Sequence, residues 1–305
     1  MKLILKEDRA GPRVLALGTF DGVHRGHREL LRAAKLFALK RKALLRVCTF
    51  DRHPMEIFLP SKAPKLLTTV PEKTARIALL GPAELQVLPF TRETANLEPE
   101  AFLERLRGRV DLRGIAVGWN YTFGRGGRGT PDLLLADGER HGYPVLVLPP
   151  VCTADGAEIS SSRIRECLAR GETEQAAELM DHAVCYTGRV VEGKHMGRKL
   201  GFPTANVRYS RLKMLPAFGV YTCWLEAPGA RYPAMANIGT QPTLPSGHVT
   251  LEVHVPGASP ELYGRLVRVT LLRHLRPEYR FDSPEALIRQ LKRDREETEK
   301  FFGMA

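Results

Sequence analysis

The feature that most constrains this chain is a change of hydrophobic pattern near residue 186. Before it, short apolar runs alternate with stretches of helical period. After it, the runs are rich in Val, Tyr and Thr and are separated by Gly and Pro. The first pattern implies strands buried on both faces in a parallel, doubly wound sheet. The second implies closely spaced strands of a small antiparallel barrel or sandwich. A length of 305 residues leaves room for two cores at roughly 150 residues each. The expected architecture is therefore an α/β domain over 1–185, then a small antiparallel β-barrel with a closing helix over 186–305.

Within the first part, RVLALGTF at 13–20 reads as a strand and DGVHRGH as a turn. The helical pattern that follows places Leu30, Leu31, Ala34, Phe37 and Ala38 near one face. Further strands are expected at 43–50, 84–90, 113–119 and 143–149, with helices at 99–107 and 162–180. In the second part the strands are YTGRVV, GVYTCWLE, RYPAMANI, HVTLEVHV and RLVRVTLL. Ser283 and Pro284 suit the start of a final helix whose Leu287, Ile288, Leu291, Thr298 and Phe302 share a face.

Composition narrows the partners less than it first promises. The net charge of +12 favours anions, yet a nucleotide, a nucleic acid and a solvated basic surface all satisfy it. The most apolar stretch, 143–151, is far short of the ~20 residues of a spanning helix. The start, MKLILKEDR, lacks the apolar segment of a signal peptide. Five scattered cysteines without a CxxC pair fit reduced thiols in a cytoplasm better than a disulfide framework or zinc.

Four segments carry chemistry. In GTFDGVHRGH, Gly18 and Gly22 permit a tight turn and Gly26 lets a phosphate approach the backbone. His24 and His27 sit three apart at a helix start, where free N–H groups already favour an anion. A polar surface turn is the bland alternative; the strand before and helix after favour chemistry. In ISSSRIR, Ser161 and Ser162 precede Arg165 at another helix start, although serines there also serve as simple caps. In GRKLGFPTAN, Gly197 and Gly201 permit a close-fitting loop, and Arg198 and Lys199 supply charge. Thr204 and Asn206 offer neutral oxygens of the kind Mg²⁺ takes beside phosphates; a glycine-rich turn with a satisfied Asn is the alternative. Glu252 lies in an alternating strand with Thr250 and His254 on its face. It is a candidate general base, or an exposed strand glutamate.

The HxGH element resembles that of the nucleotidyltransferase superfamily. The wider text is similar to the bacterial bifunctional riboflavin kinase/FAD synthetase family, through GTFDGVHRGH, TFDRHP, VGWNYTFG, ISSSRIRECLARGE, GRKLGFPTAN, NIGTQPT and LEVH in family order. The resemblance implies an FMN adenylyltransferase domain of nucleotidyltransferase fold followed by a riboflavin kinase domain. It implies that His24 and His27, with Gly18, Phe20 and Gly26, hold ATP phosphates and stabilise adenylyl transfer, and that Ser161, Ser162 and Arg165 contact the triphosphate. His53, Pro54 and Asn120 would meet flavin in the first domain and Phe202 in the second. There Gly197, Arg198 and Lys199 would cover phosphates, Thr204 and Asn206 would bind Mg-ATP, and Glu252 would be the base. The implied substrates are riboflavin, FMN and ATP with Mg²⁺, in a cytoplasmic monomer or transient homo-oligomer with no nucleic acid or membrane partner. Two other readings stay open: one working domain only, or a nucleic-acid module, the latter without a KMSKS-like element or a recognisable RNA-binding motif.

Overall fold

Strand β2 (Pro12–Leu17) is buried along nearly its whole length, as a central strand covered on both faces must be. The computed structural model describes residues 1–4, 11–193, 197, 200–240 and 249–304. The chain divides into two units, Met1–Ser161 and Ser162–Ala305.

The first unit is a six-stranded, all-parallel sheet built from β1 (Lys2–Ile4), β2, β3 (Leu44–Phe50), β4 (Glu84–Leu88), β5 (Asp111–Gly118) and β6 (Val145–Leu148). Its order is β1-β4-β3-β2-β5-β6. From β2 the chain winds outward through β3 and β4, then returns to the other side of β2 for β5. The winding therefore reverses at β2, and ligands bind beyond the carboxyl ends of strands at such a switch point. Alternate residues of β2 feed two cores. Val14 and Ala16 pack with Leu30, Leu31, Ala34 and Ala38 of α1 (Arg25–Lys40). Leu15 and Leu17 pack with Leu103 of α5 (Pro99–Arg107) and Leu134 of α6 (Pro131–His141). Three short helices complete the unit: α2 (Met55–Phe58), α3 (Val70–Ala78) and α4 (Arg92–Ala95).

The helical run expected over 162–180 is two helices, α7 (Ser161–Ala169) and α8 (Thr173–Met180). Gly171 breaks it at φ +81°, where a Cβ would also lie 2.8 Å from His274 Nδ1. A helix cannot continue through that backbone conformation.

The remaining strands close into an antiparallel barrel in the order β10-β11-β8-β7-β12-β9. They are β7 (Cys185–Val191), β8 (Thr204–Arg208), β9 (Gly219–Ala227), β10 (Ala230–Thr240), β11 (Val249–His254) and β12 (Leu266–Pro277). Strand β8 begins inside the segment that reads as a phosphate loop. Helix α9 (Pro284–Phe301) starts at Ser283, whose Oγ accepts from Ala286 N at 3.2 Å. It is pinned by a buried polar contact the apolar stripe did not announce: Arg276 donates to Asp294 at 2.8–3.0 Å. Among the described residues no helix is long and apolar enough to cross a membrane. All five cysteines are free, four of them buried and Cys152 exposed.

Candidate functional site

The turn after β2 holds an unusual backbone. Phe20 (φ +49°), Gly22 (φ +81°) and Val23 (φ +41°) all lie in the left-handed region. For Phe and Val that conformation costs on the order of 1–3 kcal/mol each and persists only when the surroundings over-determine it. They do. The Phe20 ring packs so closely on Gly18 that a Cβ there would lie 2.9 Å from it. The Asp21 carboxylate accepts from Leu67 N and Thr68 N at 3.0 Å, and Thr68 Oγ1 in turn accepts from Gly22 N at 2.9 Å. Ser161 Oγ donates to Asp21 O at 2.9 Å, tying the ISSS segment to the same turn.

This clamp delivers two imidazoles to the start of α1. His24 is the N-cap, and its Nδ1 accepts from His27 N at 3.4 Å. The two rings stack with centroids 3.6 Å apart and planes 21° apart, while Phe20 meets His27 edge-on at 5.3 Å. Burial holds His27 well below the ordinary histidine pKa, and the electrostatic influence of the neighbouring His24 and Lys73 pushes the same way. The ring is therefore neutral near pH 7, a hydrogen-bond donor through one nitrogen only. Its Nδ1 is buried without a hydrogen-bond partner among the described residues. A Cβ at Gly26 would press on the His24 ring at 3.2 Å, so a larger residue there would crowd that imidazole.

Lys73 is a residue the sequence reading missed. It is buried on α3, and its Nζ donates to Thr19 O (2.9 Å), Thr49 Oγ1 (2.9 Å) and Phe50 O (3.0 Å). One ammonium thus joins the ends of β2 and β3 beneath the turn. Burial lowers its pKa to about 8, against the pull of Asp21 and Asp51. A faint signal existed, since Lys73 lies four residues before the buried Ile77 and so shares its helix face.

A cavity of about 330 Å³ opens beside the turn, between the sheet and α5. Gly18 lines it, with Leu17, Phe50, Leu88, Phe102 and Tyr121 among its walls. Of the segments expected at flavin, the cavity takes neighbours rather than the named residues. Tyr121 lines it, whereas Asn120 is exposed in the turn before it. Phe50 lines it, whereas His53 Nδ1 accepts from Met55 N at 3.2 Å beside Pro54, at the start of α2.

In the second unit, Ser162 is exposed and Arg165 half-buried on α7, whose Ile164, Cys167 and Leu168 are buried. The barrel brings its expected residues together more fully. Asn206 of β8 stands opposite Glu252 of β11, and Thr204 opposite His254. Thr204 Oγ1 donates to Glu252 Oε2 at 3.3 Å, and Thr250 Oγ1 to Oε1 at 3.4 Å. Thr204 and Asn206 are two apart on one strand and so face the same way. His254 Nδ1 is bonded to Pro203 O at 2.8 Å and its ring meets Phe202 at 5.3 Å, a structural role. Phe202 itself is buried with Val220 and Met235. Gly197 O accepts from Phe202 N at 2.7 Å, and a Cβ at Gly197 would lie 2.2 Å from Phe202 O. Arg198 and Lys199 lie outside the described residues. Gly193, another residue missed from sequence, touches the Asn206 amide so closely that a Cβ would sit 2.1 Å from Nδ2.

Residues 6–163 match the family model described as FAD synthetase, and residues 180–302 that described as riboflavin kinase. A bifunctional riboflavin kinase/FMN adenylyltransferase of Escherichia coli (strain K12) is 37% identical over 293 residues, 95% of this chain and 93% of the relative. The protein of the same description from Bacillus subtilis (strain 168) is 32% identical over 304 residues, 98% and 95% of the two chains. A crystal structure described as a macrolide-efflux protein from Streptococcus pneumoniae superposes with a TM-score of 0.87 at 31% identity, covering 98% of this chain and 99% of that one.

Proposed function

The chain belongs to the bifunctional riboflavin kinase/FMN adenylyltransferase family, and from that premise we propose which of its residues carry each activity. The protein phosphorylates riboflavin to FMN with ATP and adenylylates FMN to FAD with release of pyrophosphate. We assign the second reaction to residues 1–185 and the first to 186–305.

In adenylylation, an FMN phosphate oxygen attacks the α-phosphorus of ATP and pyrophosphate leaves. No covalent enzyme intermediate is needed, only positioning and charge stabilisation. The observation that supports the assignment is the stacked His24–His27 pair, standing beyond a cavity that Gly18 of the same turn lines. The flavin ring occupies the apolar cavity, and its phosphate tail leaves past Gly18 towards the imidazoles and the first N–H groups of α1. His24 and His27 donate to phosphate oxygens as charge develops. Phe20, Gly22 and Gly26 shape the turn, and Ser161, Ser162 and Arg165 bind the triphosphate. His53, Pro54 and Asn120 border the flavin, as does Phe202 in the kinase.

In the kinase, Glu252 takes the proton of the riboflavin 5′-hydroxyl as that oxygen attacks the γ-phosphorus and ADP leaves. The Thr204 hydroxyl and Asn206 amide fit Mg²⁺, because they are neutral oxygens on one strand face beside a carboxylate, as a hard cation carried by nucleotide phosphates prefers. Bound there, the cation neutralises charge on the phosphates. Gly197, Arg198 and Lys199 close over the same phosphates. The enzyme works in the cytoplasm as a monomer or transient homo-oligomer.

Purified protein incubated with riboflavin, ATP and Mg²⁺ should yield FMN and then FAD by chromatography, and chelation should stop FMN formation. FMN accumulation without FAD would refute the adenylylation site.

A further inference from the structure

The sheet-side wall of the cavity carries a polar row. Leu15, Leu17, Leu88, Leu97, Leu106 and Val110 supply most of the lining, with Arg105 and Arg109 on the side of α5. Yet Leu17, Cys48 and Gln86 are successive neighbours across β2, β3 and β4, so a thiol and a carboxamide continue the row that leucine begins. Cys48 Sγ donates to Gln86 Oε1 at 3.8 Å, a weak contact for an amide that offers two donors and an acceptor. Burial pushes the Cys48 thiol up to about 12, so it stays a neutral partner. Tyr121 lines the same cavity, and burial together with nearby Cys48 raises its hydroxyl too, so it also stays neutral.

Gln86 is half-buried, so its carboxamide is available to a ligand, and a ligand that displaces water from the cavity must supply the hydrogen bonds the amide would otherwise lose. The flavin ring has the matching asymmetry. Its dimethylbenzene end is apolar, while its pyrimidine edge presents a carbonyl, an N–H and a second carbonyl in sequence. We propose that Gln86, with Cys48 and Tyr121 beside it, reads this pyrimidine edge and makes the adenylylation site selective for flavins that carry the free ring N–H. The proposal rests on the reading that this cavity takes the FMN ring. The carboxamide oxygen accepts from the ring N–H and its NH₂ donates to an adjacent carbonyl, while the leucines cover the dimethylbenzene end.

The test compares kcat/KM for adenylylation of FMN and of FMN methylated on the pyrimidine N–H, a readout that only the adenylylation site contributes. The intact enzyme should prefer FMN by about tenfold or more, since a site built to hydrogen-bond a group rejects the analogue lacking it. Gln86→Leu and Gln86→Met, each checked by circular dichroism and melting, should narrow the gap to about threefold or less. A gap unchanged in both folded variants overturns the proposal. Leu106→Trp, which fills the cavity, separates the two levels of the argument. If it leaves FMN adenylylation intact, the ring binds elsewhere and both readings fall. If it suppresses FMN use while the Gln86 variants keep the full gap, only the role of Gln86 falls.

Discussion

Glu252 stands directly opposite Asn206 across the β8–β11 ladder, and the Thr204 hydroxyl, two residues before Asn206, donates to the same carboxylate at 3.3 Å. The pairing sets the assigned base beside the two oxygens assigned to the cation, so a substrate hydroxyl and a phosphate chain can meet at one place on the barrel surface. Glu252→Gln keeps the shape and removes the proton acceptor. FMN formation should fall by about 10²-fold or more, within the usual range for a general base, while FAD formation from supplied FMN stays unchanged. Loss of both activities would contradict the separation of sites.

The neutrality of His27 has a measurable consequence for pH. Its folded-state pKa lies well below 6.5, chiefly through burial. As pH falls past the unfolded value the unfolded chain takes up a proton that the folded ring refuses, so stability declines from about pH 6.5 downward. Nitrogen-resolved NMR should find the His27 ring still neutral at pH 6, and the wild type should lose more of its melting temperature on acidification than His27→Asn. A ring that titrates at or above 6.5 would remove the basis for treating it as a neutral donor.

Lys73 predicts the opposite limb. Its folded pKa of about 8 lies below the ordinary 10.5, so between those values the unfolded chain holds a proton the folded one has released. Stability contributed by this residue should therefore rise from about pH 8 to 10.5, by about 3 kcal/mol at most. Comparing melting of the wild type and Lys73→Met across that range isolates the effect. At neutral pH the variant should also lose FAD synthesis, because Thr19 O and Phe50 O lose their shared donor. A flat difference between the two proteins above pH 8 would show that the amine is not held in a depressed state.

Gly193→Ala tests the cation site without replacing a proposed ligand. The added methyl carbon would fall 2.1 Å from Asn206 Nδ2, so the amide must move. The expected result is a raised Mg²⁺ requirement and about tenfold or more slower FMN formation, consistent with the sensitivity of catalysis to misplacement of about 1 Å. FAD synthesis from FMN should be spared. Unaltered kinase kinetics would argue that Asn206 does not hold the cation.

Much of this was legible in the chain. Most of the strand positions, the helix spacing that buries Leu30, Leu31 and Ala34, the Ser283 cap and the division into a parallel sheet and an antiparallel barrel follow from patterns a few residues long, whereas β1 and β8 did not stand out as strands. The imidazole pair was legible for the same reason, being set by a three-residue spacing at a helix start. Gly171 shows the limit of pattern reading: a helical period over 162–180 survives across a residue whose backbone ends the helix.

What remained hidden depends on which segments become neighbours. Asp21 reaches Thr68, and Lys73 reaches Thr19 and Phe50, because the order β3-β2 sets those strand ends side by side beneath α3. Leu17, Cys48 and Gln86 form one row only because three parallel strands share a register. Local periodicity and turn chemistry are properties of adjacent residues and can be read in order. A buried amine, a clamped left-handed turn and a polar edge in an apolar cavity are properties of strand pairing, which a linear text does not contain.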